Sequence, residues 1–388
     1  MKRTCLSALA GLLILSSCSE SFDKLTTRVM DVAKQQCVLM DARLPKDKMP
    51  RSFENSENVD SPQRWWCSGF FPGTLWEIYM ATGDQEILEI AKKQTLKLSG
   101  ICRENTHHDI GFQVNSSFGN AYRATGCECW LPVIDSAATK LAGRFVPEAG
   151  IIQSWESSRK WDCPVIIDNM MNLELLEYAA KMFDKPQFDA IARSHADVTM
   201  KNHFRDDYTT WHVVAYDRSN GDVVKKQTHQ GYSDDSAWAR GQAWAIYGYT
   251  MMYRETGVEE YLAQAEHVAD MIIPHLPKDG IPYWDFDAPD IPKALRDASA
   301  GAVMASAYVE LSTLTGDKAR AKQYKKLGEK MIRTLSSRKY LAEPGENGFF
   351  IRKHSVGNMP SGSEIDVPLS YADYYFLEAV NRYNSLEQ

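Results

Sequence analysis

A chain of 388 residues with 44% hydrophobic side chains is long enough for one large domain or two, and for a substantial core. Its net charge of −7 and the lack of any Lys/Arg-rich run exclude nucleic acid as an expected partner. A net negative protein still binds an anionic ligand when a few cations are local to the site.

The N-terminus opens with Lys2 and Arg3, followed by an apolar run from Leu6 to Leu15 and then Ser16-Ser17-Cys18. The run is too short to span a bilayer comfortably and reads as the apolar region of a secretory signal. The small residues ahead of Cys18 resemble a bacterial lipobox. Residues 1–17 are therefore expected to be removed, and Cys18 to carry lipid at the start of a mature chain, 18–388, that forms one catalytic domain. The expected location is the bacterial cell envelope, as a periplasmic or surface lipoprotein touching membrane only through that anchor.

Downstream, apolar periodicity predicts helices over 26–44, 73–82, 85–102, 113–125, 129–144, 169–182, 186–204, 234–256, 259–275, 298–315, 318–335 and 367–384. Many are joined by short glycine turns. Thr82-Gly83-Asp84, Thr125-Gly126, Thr256-Gly257 and Thr315-Gly316-Asp317 each read as a helix stop followed by a new start. Strand-like material is confined to connections. Trp211–Tyr216 precedes an Asn220-Gly221 hairpin turn, and Ile281–Phe286 and Gly348–Ile351 are the other two stretches. Twelve helices in six pairs predict an all-α fold, an (α/α)6 barrel whose site lies where one set of connections converges. The lack of a regular repeat length argues against an open solenoid.

Beyond Cys5 and Cys18 the cysteines are Cys37, Cys67, Cys102, Cys127, Cys129 and Cys163. Export permits disulfides, but these spacings form no recognisable framework or zinc pattern. Buried free thiols and no metal are the expectation.

Three stretches carry candidate chemistry. In His107-His108-Asp109-Ile110-Gly111-Phe112 an aspartate follows paired histidines in a loop between helices. In Cys163-Pro164-Val165-Ile166-Ile167-Asp168-Asn169-Met170-Met171-Asn172 an aspartate follows a β-branched apolar run and opens a helix. Apolar neighbours there raise a carboxyl pKa, as a general acid requires. The plain alternative is that both are helix caps or turn residues. The third stretch, His229 to Trp244, reads as a loop feeding a helix. Its Trp238, Arg240, Gln242 and Trp244 put two indoles, a cation and an amide on about two turns. Flat rings beside polar donors suit a sugar, although a buried helix start with core tryptophans has the same pattern.

Taken together, these stretches resemble the unsaturated glucuronyl hydrolases (glycoside hydrolase family 88) along essentially the whole mature chain. Trp65-Trp66-Cys67-Ser68-Gly69-Phe70-Phe71-Pro72-Gly73 and Ser363-Glu364-Ile365-Asp366-Val367-Pro368-Leu369 followed by Tyr371-Ala372-Asp373-Tyr374-Tyr375 add to the match. The resemblance implies an (α/α)6 barrel without metal or organic cofactor. It also implies a lyase-made oligosaccharide substrate, derived from chondroitin, hyaluronan or heparin, whose terminal uronate bears a C4=C5 double bond. A carboxylic acid would protonate C4, water would add at C5, and the hemiketal would open with loss of the glycosidic bond. By resemblance Asp168 is the acid/base and Asp109 the second catalytic carboxylate. Trp65, Trp66, His212, Thr228, Gln230, Arg240 and Trp244 would line the sugar site. Charge complementarity makes Arg240 the expected partner of the substrate carboxylate, and Ser361 and Ser363 fall where the family contacts the leaving-group sugar. Two other readings are an unsaturated rhamnogalacturonyl hydrolase acting on pectin fragments and a non-catalytic glycan-binding lipoprotein.

Overall fold

The computed structural model describes residues 20–104 and 107–387. The expected leader, 1–17, and Cys18 lie outside the described residues.

Two kinds of helix alternate along the chain. The first, α1 (Phe22–Arg43), buries Phe22, Leu25, Val29, Met30, Ala33, Cys37 and Met40, a three-and-four spacing that makes one apolar stripe. The next, α2 (Phe70–Thr82), buries every residue from Phe70 to Ile78. A helix apolar on all sides needs neighbours on all sides, so the amphipathic helices form an outer layer around an inner one. The outer layer continues with α3 (Gln85–Leu96), α5 (Leu131–Ala142), α7 (Pro186–Asn202), α9 (Glu259–Ile272) and α11 (Lys318–Leu335). The inner layer continues with α4, α6 (Leu173–Met182), α8 (Ala239–Thr256), α10 (Ala298–Leu314) and α12 (Ser370–Glu387). Helix α4 runs over 110–125 with a π turn, Asn115–Gly119, at its middle. Successive inner helices pack on one another, and α12 packs back on α2.

The expected stops at Gly83, Gly126 and Gly257 hold, with φ of 67°, 64° and 67°, the left-handed conformation that suits glycine. At Thr315-Gly316-Asp317 the helix ends without a left-handed glycine; Thr315 is extended, and Asp317 caps the next helix through the backbone N–H groups of Ala319 and Arg320.

Several boundaries differ from the sequence reading for tertiary reasons. The helix expected from residue 234 starts at Ala239, because Asp285 accepts hydrogen bonds from Tyr232 N and Ser236 Oγ, both at 2.8 Å, and Asp287 accepts one from Ala237 N. Those bonds hold 232–237 as a loop. The hairpin around Asn220-Gly221 forms from β6 (Val213–Tyr216) and β7 (Val223–Gln227), and β5 (Cys163–Ile166) joins its edge as a third antiparallel strand. Ile281–Phe286 and Gly348–Ile351 are not strands; single bridges such as Tyr283 with Arg296 are all they or their immediate neighbours make. Three hairpins went unread: β1–β2 (Lys48–Glu54 with Glu57–Pro62), β3–β4 (Phe145–Val146 with Ile151–Ile152) and β8–β9 (Ser355–Asn358 with Ser363–Val367). The first and last are polar and lack the two-residue apolar alternation that marks a half-buried strand, and the second is only two residues long on each side. The cysteine expectation is also corrected in one place: Cys127 and Cys129 form a disulfide, while Cys37, Cys67, Cys102 and Cys163 are buried free thiols.

Candidate active site

The inner helices begin at one end of the ring, and the candidate residues gather there. Asp109 directly precedes α4, but its side chain caps nothing. It is clasped instead by His107 Nδ1 at 2.9 Å and His108 Nε2 at 3.4 Å. Burial pushes its pKa up, but the neighbouring His108 and His107, with Arg144 behind them, outweigh that and hold it below the ordinary carboxylate value.

Asp168 has no such clasp. It lies in the 3-10 turn Ile167–Asn172 that leads into α6. Its Oδ2 is buried without a hydrogen-bond partner, and His212 Nε2 stands 3.7 Å away, also unpartnered. Burial raises its pKa to about 7, with the Asp109 charge adding to the rise and the Arg240 charge and Trp244 indole N–H opposing it. The Trp244 N–H is near enough to act on Asp168 yet makes no aligned hydrogen bond.

His212 is held in one tautomer. Its Nδ1 accepts from the backbone N–H groups of His229 at 3.1 Å and Gln230 at 3.2 Å. Burial drives its pKa well down, so the ring is neutral and its one proton sits on Nε2, the atom nearest Asp168.

Asn172 and Ser154 bring the two aspartate segments together. Asn172 Oδ1 accepts from Phe112 N at 2.8 Å, and its amide meets His108 Nδ1 at 3.4 Å. Gly111 permits that approach, since a Cβ there would stand 2.6 Å from Asn172 Cα. Ser154 O accepts from His108 N at 3.0 Å while Ser154 Oγ accepts from Ile166 N at 3.0 Å.

Arg240 is 2% exposed, and both its terminal nitrogens are already engaged. They donate to Asp297 Oδ2 at 2.7 Å and to the carbonyls of Val356 and Gly357, each at 2.5 Å. Those bonds fix the guanidinium in place, and its charge acts on Asp168. Trp244, 1% exposed, packs between Phe112 and Tyr375 and is no open stacking face. Trp66 is half-buried against Phe70, Phe112 and Tyr371. Trp65 is 36% exposed, with the Arg51 guanidinium 4.5 Å from its ring and Glu364 paired to Arg51.

Gln230 donates to Gly357 O at 3.0 Å, which ties the 229–238 loop to the β8–β9 hairpin. Thr228 Oγ1 accepts from Gly231 N at 2.8 Å and so braces that loop's turn. Ser361 and Ser363 meet at the hairpin's exposed turn, their hydroxyls 2.9 Å apart. Missed by the sequence reading were Trp155 and Trp161, whose rings cluster with His229. Two tryptophans in a polar Ser/Arg/Lys loop were the available signal.

No family model matches the chain. Among curated proteins it is 44% identical over 346 residues to an unsaturated glucuronyl hydrolase of Formosa agariphila, covering 88% of this chain and 86% of that one. The chain belongs to the unsaturated glucuronyl hydrolases. It is also 32% identical over 362 residues to an unsaturated chondroitin disaccharide hydrolase of Streptococcus pyogenes, covering 92% of this chain and 90% of the relative. The crystal structure of an unsaturated glucuronyl hydrolase specific for heparin superposes with a TM-score of 0.91 at 46% identity, over 94% of this chain and 98% of that one. The enzyme is thus a glycoside hydrolase with an all-α fold like that of its relatives.

Proposed function

We propose that this enzyme removes the 4,5-unsaturated uronate from the non-reducing end of lyase-generated glycosaminoglycan oligosaccharides by hydrating the C4=C5 vinyl ether. The observation that carries the assignment is the Asp168 carboxyl: its Oδ2 buried and unpartnered, and its pKa raised to about 7. That is the state a group needs to give up a proton and then take one back. Asp168 protonates C4, and positive charge develops at C5 beside the ring oxygen. Water adds at C5 and returns a proton to Asp168. The hemiketal then opens and the bond to the next sugar is lost.

Asp109 stays ionised in this scheme. Its charge helps keep the proton on Asp168 and opposes the positive charge that builds on the sugar ring. His212 presents Nε2–H toward the Asp168 carboxyl, 3.7 Å away. The names of the relatives, with chondroitin disaccharide and heparin among their substrates, support unsaturated disaccharides of chondroitin, hyaluronan or heparin as the class. Trp65, Trp66 and Gln230 would border the uronate, and Ser361 and Ser363 the leaving-group sugar.

The alternation of buried and amphipathic helices, and the packing of α12 on α2, support an (α/α)6 barrel spanning one domain over 18–388. The N-terminal sequence supports removal of 1–17, lipid on Cys18 and residence in the cell envelope. Loss of membrane association in Cys18→Ala would support the anchor, and unchanged fractionation would refute it.

The decisive assay follows the ultraviolet absorbance of the C4=C5 bond in an unsulfated unsaturated chondroitin disaccharide, without added metal. Loss of absorbance is expected. Persistence of the chromophore with this substrate and with heparin-derived disaccharides would defeat the proposal.

A further inference from the structure

We propose that Cys127-Glu128-Cys129 is a thiol–disulfide exchange site, whose internal bond opens and closes against an external thiol–disulfide couple while the rest of the fold stays as it is. Nothing in it depends on the hydrolase reading. Cys127 and Cys129 form the one disulfide among the described residues, with a single residue between them and their Cα atoms 5.2 Å apart. All three residues are exposed.

A bond in this position does little as a staple. It ties no distant segments together, and closing so short a loop removes little chain entropy from the unfolded state. The turn that carries it is held by other bonds. Gly126 is left-handed and its N–H donates to Tyr122 O at 2.8 Å, while Thr125 Oγ1 accepts from Cys127 N and from Trp130 Nε1, each at 3.2 Å. Trp130 is buried against Trp76 and Phe118. Opening the disulfide therefore leaves the turn its anchors. What the bond has instead is access to solvent, which an attacking thiolate requires.

The two sulfurs differ. Cys127 Sγ accepts from Cys129 N at 3.4 Å, a bond that strengthens when the sulfur is a thiolate. Cys127 is accordingly the attacking thiol of the reduced pair. Its thiolate attacks an external disulfide; one half leaves as a thiolate and the other stays on Cys127 as a mixed disulfide. The Cys129 thiolate then displaces that half and closes the internal bond. The pair gives up two electrons and two protons, and the external disulfide becomes two thiols. An external dithiol runs the sequence backwards.

The other four cysteines take no part. They are buried, and burial pushes their thiols up, to about 12 at Cys67 and about 11 at Cys163. The pair also stands at the far end of α4 from Asp109, about 24 Å of helix away.

The test treats the folded protein with dithiothreitol, alkylates it with iodoacetamide and maps the labelled residues by mass spectrometry. Cys127 and Cys129 should be labelled, with Tm lowered by no more than a few degrees, and Cys37, Cys67, Cys102 and Cys163 should label only after unfolding. Oxidised glutathione should close the bond again. At neutral pH, Cys129→Ser should form its glutathione mixed disulfide about threefold faster than Cys127→Ser, as a thiol pKa lower by about one unit requires. A pair that resists the dithiol until the protein unfolds, that stays open in oxidised glutathione, or whose reduction melts the fold would overturn the proposal. Equal rates in the two serine variants would overturn the role given to Cys127.

Discussion

The two ends of the inner-helix ring are both crowded with charge, and they differ in how that charge is satisfied. At the end where the inner helices begin, Asp168 Oδ2, His212 Nε2 and Trp244 Nε1 are buried without partners. Farther along the same helices lies a cavity of about 560 Å³ lined by Glu77, Arg123, Glu174, Arg254, Glu378 and Arg382, among others. There Arg254 bridges Glu174 and Glu310, and Arg382 bridges Glu310 and the Tyr247 hydroxyl. Among the described residues that line it, none keeps a buried polar atom unpaired. Volume alone would point to the second end. Unsatisfied polarity points to the first, because groups left without partners in the folded protein are the ones a ligand must complete.

The largest expected break in this comparison is Asp168→Asn, which removes the only proton donor proposed for C4. Turnover should fall about 10³-fold or more in the absorbance assay, with the fold intact by circular dichroism. Activity within tenfold of the parent would remove Asp168 from the mechanism.

At the other end, Arg382→Met should do the opposite. It leaves Glu310 with Arg254 alone and removes the donor to the Tyr247 hydroxyl, and should cost about 3 kcal/mol in denaturant unfolding. The kcat of the folded fraction should stay within about twofold, and a large kcat loss would show that the ends are coupled.

The two aspartates should also differ in stability. Asp168 has a raised pKa, so folding favours its protonated form, and ionisation is penalised as pH rises from about 4 to about 7. Asp168→Asn lifts that penalty and should raise stability above pH 7 by up to about 4 kcal/mol, read as a higher Tm. Asp109 has a lowered pKa, so its contribution is present above the ordinary carboxylate range and is lost in acid. Asp109→Asn should therefore lower Tm at neutral pH, with the difference vanishing as pH falls through its folded pKa. Equal shifts in both variants would mean that the two surroundings do not act as described.

The smallest effect is the pH profile. The rate should decline above about pH 7 as Asp168 loses its proton, by about tenfold per unit at its steepest. A flat profile through pH 8 would place the titrating acid elsewhere.

Much of this was legible before any tertiary contact was known. Helices α1 to α12 follow apolar spacing, and Gly83, Gly126 and Gly257 stop them where a left-handed residue is needed, because both signals act between near neighbours. The motifs around Asp109 and Asp168 were likewise visible, and so was the family. What local pattern cannot carry is who meets whom. Arg240 reads as one cation on a helix until Asp297, Val356 and Gly357 arrive from distant segments to fix its guanidinium. Trp244 reads as a sugar platform until Phe112 and Tyr375 close over it. The loop 155–162 carries no period at all, and the tie at its start to both aspartate segments rests on single hydrogen bonds through Ser154. The sequence by itself determined the helices, their order and the acids available. Only the tertiary structure decided which acid keeps its proton, because desolvation and the charges around Asp168 are properties of packing.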